Sequence, residues 1–213
     1  MNFASKPPPQ TATSARQVIL GSTSRYRREL LHRLQIPFDV IAPDVDETAF
    51  PSELPRALAE RLALAKAKAV AWQFPHAVVI GSDQVADLNG KPLGKPGTHE
   101  KAVAQLRLMR GQTVVFQTAI AVVCLETDFE ESSLAAVSVR FRDLTDDEIE
   151  NYLIAEQPYD CAGSAKSEGL GITLLDSIDS DDPTALVGLP LIRTCKMLRA
   201  AGIPLLTGKG VAA

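Results

Sequence analysis

Short runs of Val and Ile alternate along the chain with stretches whose apolar residues recur every three or four positions. The first run, Gln17 to Gly21, predicts a strand. Ser22-Thr23-Ser24 then supplies cap hydroxyls, and Leu30, Leu31 and Leu34 fall at helical spacing, so a helix is expected through about Leu34, closed by Pro37. Phe38 to Ala42 predicts a second strand, and Pro43-Asp44-Val45-Asp46-Glu47 an acidic loop. Leu54, Leu58, Arg61, Leu62, Ala65, Ala69 and Trp72 mark a long amphipathic helix that carries Arg56, Glu60, Lys66 and Lys68 on its other side. Ala77 to Gly81 is apolar almost without a break, the pattern of a strand covered on both faces, and Ser82-Asp83-Gln84 follows at its end.

Gly90 to Gly97 reads as a loop, after which Thr98 caps a helix reaching nearly to Gly111. Thr113 to Leu125 and Leu134 to Phe141 predict a long antiparallel pair across the acidic segment Glu126 to Glu131. Thr145-Asp146-Asp147-Glu148 is a capping box for a helix to about Ala155. Gly163 to Gly171 reads as a glycine-punctuated loop, Ile172 to Leu175 as a strand and Val187 to Ala201 as a last helix. Helices interleaved with strands give an α/β class: a mixed, twisted sheet with flanking helices. The middle hairpin is a candidate second lobe, with a ligand cleft between lobes.

Length sets the domain count. The 213 residues suit one domain over 17–206, with room for two lobes. Residues 1–16, with Pro7-Pro8-Pro9 and several Ser and Thr, read as a disordered tail, and 207–213 as a C-terminal tail. Lys and Arg number 22 against 26 Asp and Glu, so the net charge of −4 gives no overall pull toward nucleic acid or anionic membrane. Aromatic residues are 5% and no basic stripe is interleaved with them, which argues further against a nucleic-acid module. No apolar run is long enough to span a bilayer, and the N-terminus lacks the apolar core of a secretory signal. Cys124, Cys161 and Cys195 are odd in number and lie far apart without a CxxC, which points to reduced thiols and a cytoplasmic protein. His32, His76 and His99 have no metal-ligand spacing and read as surface or packing residues.

An acidic chain needs a local cationic cluster or a metal ion to hold an anion, and the first candidate is Ser22 to Arg28. It joins a strand end, a hydroxyl-rich turn and a helix start bearing Arg25, Arg27 and Arg28. Helix starts offer unpaired N–H groups to phosphate, while arginines there oppose the helix dipole and want a reason such as an anion; a solvated basic helix start is the plainer reading. Asp83, placed at a strand's carboxyl end, is positioned either to hold Mg²⁺ or act as a base, or simply to cap the next turn. Glu47 is a candidate second carboxylate. Lys66 and Lys95, the latter in Gly94-Lys95-Pro96, suit phosphate as point charges, though single lysines more often decorate a surface. Cys161 to Gly169 offers Ser, Lys and Glu168 to a ligand, and Asp176 to Asp182 reads as a solvated acidic loop.

These segments, in this order, resemble the Maf family of nucleoside triphosphate pyrophosphatases over about Gln17 to Leu206. Leu20-Gly-Ser-Thr-Ser-Arg-Tyr-Arg-Arg-Glu-Leu-Leu31 is similar to the family's opening motif, Asp46-Glu47 to its VDE, Leu64-Ala65-Lys66-Ala67 to its helical lysine motif and Gly94-Lys95-Pro96 to its GKP. Ile80 to Val85 and Tyr159 to Gly169 resemble the branch that hydrolyses 7-methyl-GTP rather than the branch acting on dTTP and UTP. The resemblance implies a fold like that of inosine triphosphate pyrophosphatases, a divalent cation (Mg²⁺ or Mn²⁺), cleavage between the α- and β-phosphates, and a homodimer. Residue by residue it implies Asp83 as proton acceptor; Tyr26, Gln84 and Glu168 as substrate-selecting positions; and Ser24, Arg27, Glu47, Lys66 and Lys95 as the phosphate and metal site, with Glu47 and Asp83 toward the metal. Arg25 stands where the family has Pro, Gly21 where it has Ala, and Tyr26 where the methyl-GTP branch has Trp. The competing expectations are a dTTP/UTP pyrophosphatase and a nucleotide-binding regulator of cell division without turnover.

Overall fold

The structure, a computed structural model, describes residues 16–206. Both predicted tails, Arg16 apart, lie outside the described residues. In chain order the elements are β1 (Val18–Gly21), α1 (Arg25–His32), β2 (Asp39–Ile41), α2 (Pro55–Ala71), β3 (Val78–Leu88), β4 (Lys91–Leu93), α3 (His99–Met109), β5 (Thr113–Cys124), β6 (Phe129–Phe141), α4 (Asp146–Glu156), β7 (Leu175–Asp179) and α5 (Leu191–Ala200). The strands make one sheet in the order β2-β1-β3-β5-β6-β7, with β4 attached to β3. β2, β1 and the start of β3 run parallel, and every other pairing is antiparallel. The α/β class and the mixed sheet are as the alternation of patterns predicts.

Side chains of a strand alternate between faces, so the sheet sorts its residues into two covers. Val79, Val85, Ala119, Ala121 and Val123 pack under Leu58, Leu62, Ala63, Ala67 and Val70 of α2. On the opposite face Val78, Ile80, Ile120 and Val122 meet Leu30 and Leu31 of α1 and Met197 and Leu198 of α5. Farther along, Val114, Phe116, Val137 and Phe141 meet Leu106 and Met109 of α3 and Ile149, Tyr152 and Leu153 of α4.

The caps form where they are expected. Ser24, Thr98 and Thr145 each accept a backbone N–H at the start of α1, α3 and α4, and Thr145 with Glu148 completes the capping box. Pro55 opens α2, where its missing N–H costs nothing.

Other expectations change. The predicted hairpin is continuous with the main sheet: β5 is the middle of that sheet, paired with β3 and β6 along most of its length, and the far half of the pair shares a core of its own with α3 and α4. The turn shrinks to Leu125–Asp128, with Asp128 left-handed at φ 52°, and Glu130 and Glu131 lie inside β6. Part of the 90–97 loop is β4. Leu170–Leu174 is a 3₁₀ turn, and the strand comes after it, as β7. A 3₁₀ turn at Ala185–Val187 and Gly188 at φ 119° precede α5, which delays it to Leu191. α1 stops at His32. On α2, Leu54 and Trp72 at the ends of the apolar stripe are exposed, whereas Lys66, assigned to the polar side, is 5% exposed.

Candidate active site

One edge of β3 is taken by β5 from Val79 to Asp87. The other is shared by β1, which pairs up to Gly21↔Gly81, and β4, which begins at Ala86↔Leu93. Residues 82–85 therefore face a notch between two partner strands. Asp83 lies in mid-strand, not at a strand end as the sequence pattern implied; the site opens because its neighbour β1 ends there and turns into α1. A cavity of about 600 Å³ occupies this notch, lined by Ser22 to Arg27, Glu47, Lys66, Asp83 to Val85, Pro92 to Lys95, Asp160 to Ala162, Glu168 and Leu186 to Gly188.

Alternation along β3 sends Asp83 toward α2 and its neighbours Ser82 and Gln84 the other way. On the α2 side the helix rests on the bare backbone of Gly81: a Cβ there would stand 2.2 Å from the Ala63 carbonyl oxygen. That approach carries Lys66 inward. Its Nζ donates to Asp83 Oδ1 at 2.6 Å and pairs with Glu47 Oε1 at 2.7 Å. One ammonium thus bridges two carboxylates, one buried and one on the exposed 43–54 loop.

On the other side Ser82 Oγ lies within hydrogen-bond distance of the carbonyls of Ala119 (2.8 Å) and Gly188 (3.1 Å), which share its single proton. Arg27 Nε donates to the same Gly188 oxygen at 2.9 Å, and its Nη1 to Ser22 Oγ at 3.2 Å. Gln84 Nε2 is held by Thr118 Oγ1 (2.9 Å) and the carbonyls of Ala185 and Leu186 (both 3.0 Å). The turn supplying these carbonyls is anchored by Asp182, fully buried, whose carboxylate accepts from Thr184 Oγ1 and the Arg193 backbone. Asp182 is thus the reverse of the solvated loop residue that its acidic neighbourhood implied.

Charge is unevenly spread along the cavity. Over the whole lining Arg25, Arg27, Lys66 and Lys95 balance Glu47, Asp83, Asp160 and Glu168, four against four; the positive excess is local, at the end where Lys66, Arg27 and Lys95 meet Asp83 and Glu47, three against two. Burial pushes the Glu47 carboxyl up, but the Lys66 hydrogen bond and the charges of Lys66, Lys95 and Arg27 outweigh it and hold it below the usual value. Burial lowers the Arg27 pKa, and Asp83 and Glu47 work against that. Ser24 Oγ is engaged with the Arg27 N–H at 3.4 Å as the helix cap.

At the far end of the cavity Tyr26 lies beneath Arg25, whose guanidinium carbon is 4.7 Å from the ring centroid and whose Nη2 donates to the Tyr26 hydroxyl at 2.6 Å. Asp160 and Cys161 stand against the same hydroxyl. Burial pushes the Tyr26 phenol up and the Cys161 thiol up to about 11, so neither ionises near neutral pH. Glu168 is exposed on a turn tied to α4 through Glu156, which accepts from Lys166 Nζ (2.5 Å) and from the Leu170 N–H (2.7 Å).

Every residue that the resemblance assigned to the site, Ser24, Tyr26, Arg27, Glu47, Lys66, Asp83, Gln84, Lys95 and Glu168, lines this one cavity, whereas Arg28 of the basic helix start does not. Ser22 and Ser82 entered the sequence reading only as parts of their segments, Asp182 was read as solvated, and Thr118 was not singled out. Ser82 carried a signal, a hydroxyl continuing an apolar strand; Thr118 carried none. Asp83 and Glu47 suit a hard divalent cation, because each has its second carboxylate oxygen without a side-chain partner among the described residues. Among the described residues no cluster of three or more His, Cys, Asp or Glu could hold a metal alone, so water and phosphate oxygens would complete such a site.

The family model described as Maf-like protein matches residues 17–201. A 7-methyl-GTP pyrophosphatase of a Polaromonas species is 78% identical over 197 residues, covering 92% of this chain and 90% of that protein. Proteins of the same name from Albidiferax ferrireducens and Burkholderia thailandensis are 70% and 59% identical, over 90% and 95% of this chain and 96% and 95% of theirs. Among solved structures, the Staphylococcus aureus Ham1 protein aligns with a TM-score of 0.44 at 20% identity, over 60% of this chain and 73% of that one.

Proposed function

Given that the chain belongs to the Maf family, we propose that it is a nucleoside triphosphate pyrophosphatase that converts 7-methyl-GTP and water into 7-methyl-GMP and pyrophosphate, clearing a modified nucleotide. The observation that carries this reading is the Lys66 bridge between Asp83 and Glu47, set in a cavity shared with Arg27, Lys95, Tyr26 and Glu168.

The chemical problem is to bring water to a phosphorus shielded by negative oxygens. Arg27, Lys66 and Lys95 gather the triphosphate, and the Ser24 hydroxyl with the first N–H groups of α1 adds donors. Asp83 aims a water at the α-phosphorus and takes its proton as the new P–O bond forms and the bond to the leaving pyrophosphate breaks. Its Oδ1 is pinned by Lys66, so Oδ2 is the oxygen that meets the water. Asp83 and Glu47 would hold Mg²⁺ or Mn²⁺, which when bound offsets the charge on the phosphate oxygens and on the leaving group. At the other end, the Tyr26 face attracts the cationic 7-methylguanine and Glu168 pairs with its charge. Gln84 has its amide nitrogen committed to the 185–186 carbonyls, so its Oε1 is the atom left to accept from the base.

We place this activity in the cytoplasm, consistent with three free cysteines and with the finding that no helix among the described residues is long and apolar enough to cross a membrane. We expect a homodimer on the family resemblance. The test is a panel of 7-methyl-GTP, GTP, dTTP and UTP with purified protein and Mg²⁺ or Mn²⁺, read by pyrophosphate release. The expected result is release that is fastest from 7-methyl-GTP. Faster release from dTTP or UTP would assign the sister activity, and binding without release would make the protein a nucleotide-responsive regulator.

A further inference from the structure

Glu47 sits on a stretch, residues 43–54, that has neither helix nor strand and is largely exposed. Left to itself such a loop samples many backbone states, and fixing each residue costs about 1–2 kcal/mol in entropy. Something must hold it for Glu47 to meet Lys66 at 2.7 Å. The holder is on the rigid helix beneath. Arg61 of α2 donates from Nε and Nη2 to the two carboxylate oxygens of Glu53 at 2.6 and 2.7 Å. Its Nη2 also donates to the Thr48 carbonyl at 3.0 Å. Its guanidinium lies 4.0 Å from the Phe50 ring centroid. Asp46 Oδ1 accepts the Thr48 N–H at 2.9 Å. Thr48, the residue after Glu47, is thereby fixed at both its N–H and its carbonyl.

We propose that Arg61 is the positioning residue that holds Glu47 over the site. This deepens the functional reading above and rests on it for what Glu47 then does. The chemistry requires arginine: a planar fork can grip a carboxylate in two places, keep a donor for a carbonyl and stack on an aromatic ring at once, which an ammonium cannot. Arg61 lies beside the buried row of α2, facing the 43–54 loop, and not in the apolar stripe where the sequence pattern set it. Its flat face is covered by Phe50, and the carboxylate it meets is nearly buried, at 8% side-chain exposure.

The test compares Arg61→Met, Arg61→Lys and Glu53→Gln with the natural protein by amide hydrogen exchange over 46–53, by Mn²⁺ binding without nucleotide, and by kcat and KM. In Arg61→Met, exchange over 46–53 accelerates while α2 and β3 stay protected. Mn²⁺ affinity and kcat fall about tenfold or more, as for residues that orient a metal ligand, with KM for the nucleotide shifting less than about twofold. Arg61→Lys recovers less than half of the loss, and Glu53→Gln shows the same pattern more mildly, which serves if Arg61→Met does not fold. Unchanged exchange over 46–53, or faster exchange with Mn²⁺ affinity and kcat intact, would overturn the proposal. If the natural protein neither binds Mn²⁺ nor releases pyrophosphate, the functional reading fails instead, and exchange over 46–53 with Arg61→Met still decides whether Arg61 holds the loop.

Discussion

Gly81→Ala adds one methyl group at the point where α2 touches β3. The new Cβ would lie 2.2 Å from the Ala63 carbonyl oxygen, 2.5 Å from the Ala67 nitrogen and 2.9 Å from the Ala67 Cβ. Ordinary contact begins at 3.4 Å, so the helix must retreat by 3.4 − 2.2 = 1.2 Å. Two of the three opposing atoms are backbone and no rotamer change relieves them. Overpacking of a well-filled core costs about 1–3 kcal/mol, and the rigid contacts put this case near 3. At roughly 2–4 °C per kcal/mol for a chain of this size, Tm should fall by about 6–12 °C. The same retreat draws the Lys66 backbone away from Asp83, so the 2.6 Å hydrogen bond must lengthen or the lysine stem must re-extend. Thermal unfolding and pyrophosphate release, measured on one preparation well below its Tm, should therefore fall together. Gly94→Ala is the control for stability: its Cβ would meet nothing within 4 Å, and Tm should not move. A Gly81→Ala protein with Tm within about 2 °C of the natural one and an intact kcat would refute the claim that this close approach places Lys66.

Three further outcomes follow from the same geometry. Asp83→Asn keeps the shape and leaves Lys66 paired with Glu47, so nucleotide binding should persist while turnover falls about 10²–10⁴-fold; undiminished turnover would remove Asp83 from its role. Glu168→Gln takes away the negative charge beside the base, so any preference for 7-methyl-GTP over GTP should shrink, and equal rates on both nucleotides in the natural protein would defeat that assignment. The Arg61 hydrogen bond holds the Glu53 carboxyl at about 2, well below its usual 4.5, so the pair's contribution is complete above pH 4.5 and drains away as pH falls toward 2. The Tm gap between the natural protein and Glu53→Gln should then be constant from about pH 8 to pH 5 and narrow by pH 3, whereas a gap flat to pH 3 contradicts the pairing.

Local signals were legible where their physics is local. Caps depend on residues three apart, and Ser24, Thr98 and Thr145 were readable for that reason. Strand and helix periods depend on neighbours within one turn, and they predict β1, α2 and β5 nearly to the residue. The chemical identities in the cavity were also legible, because Ser24, Arg27, Lys66, Asp83 and Lys95 stand in motifs whose order along the chain carries the resemblance. Lys66 shows the limit. Its charge put it on the polar side, although its spacing of four from Leu62 and Val70 sets it in the buried row of α2, where Asp83 and Glu47 offer its ammonium partners in the place of water.

What the sequence by itself determined is the list of elements and the list of reactive groups. The tertiary structure decided which strand ends beside which. Asp83 is reachable because β1 stops at Gly21 and β4 starts only opposite Ala86, a fact about neighbours on an edge that no pattern within β3 contains. Arg27 is aimed by the carbonyl of a residue 161 positions away, and Gln84 by carbonyls more than 100 positions away. Periodicity reports only which side of its own element a residue faces. What waits on that side is fixed by sheet order and helix docking, where burial of apolar area over the whole molecule sets the arrangement and the polar site takes shape in the gap it leaves.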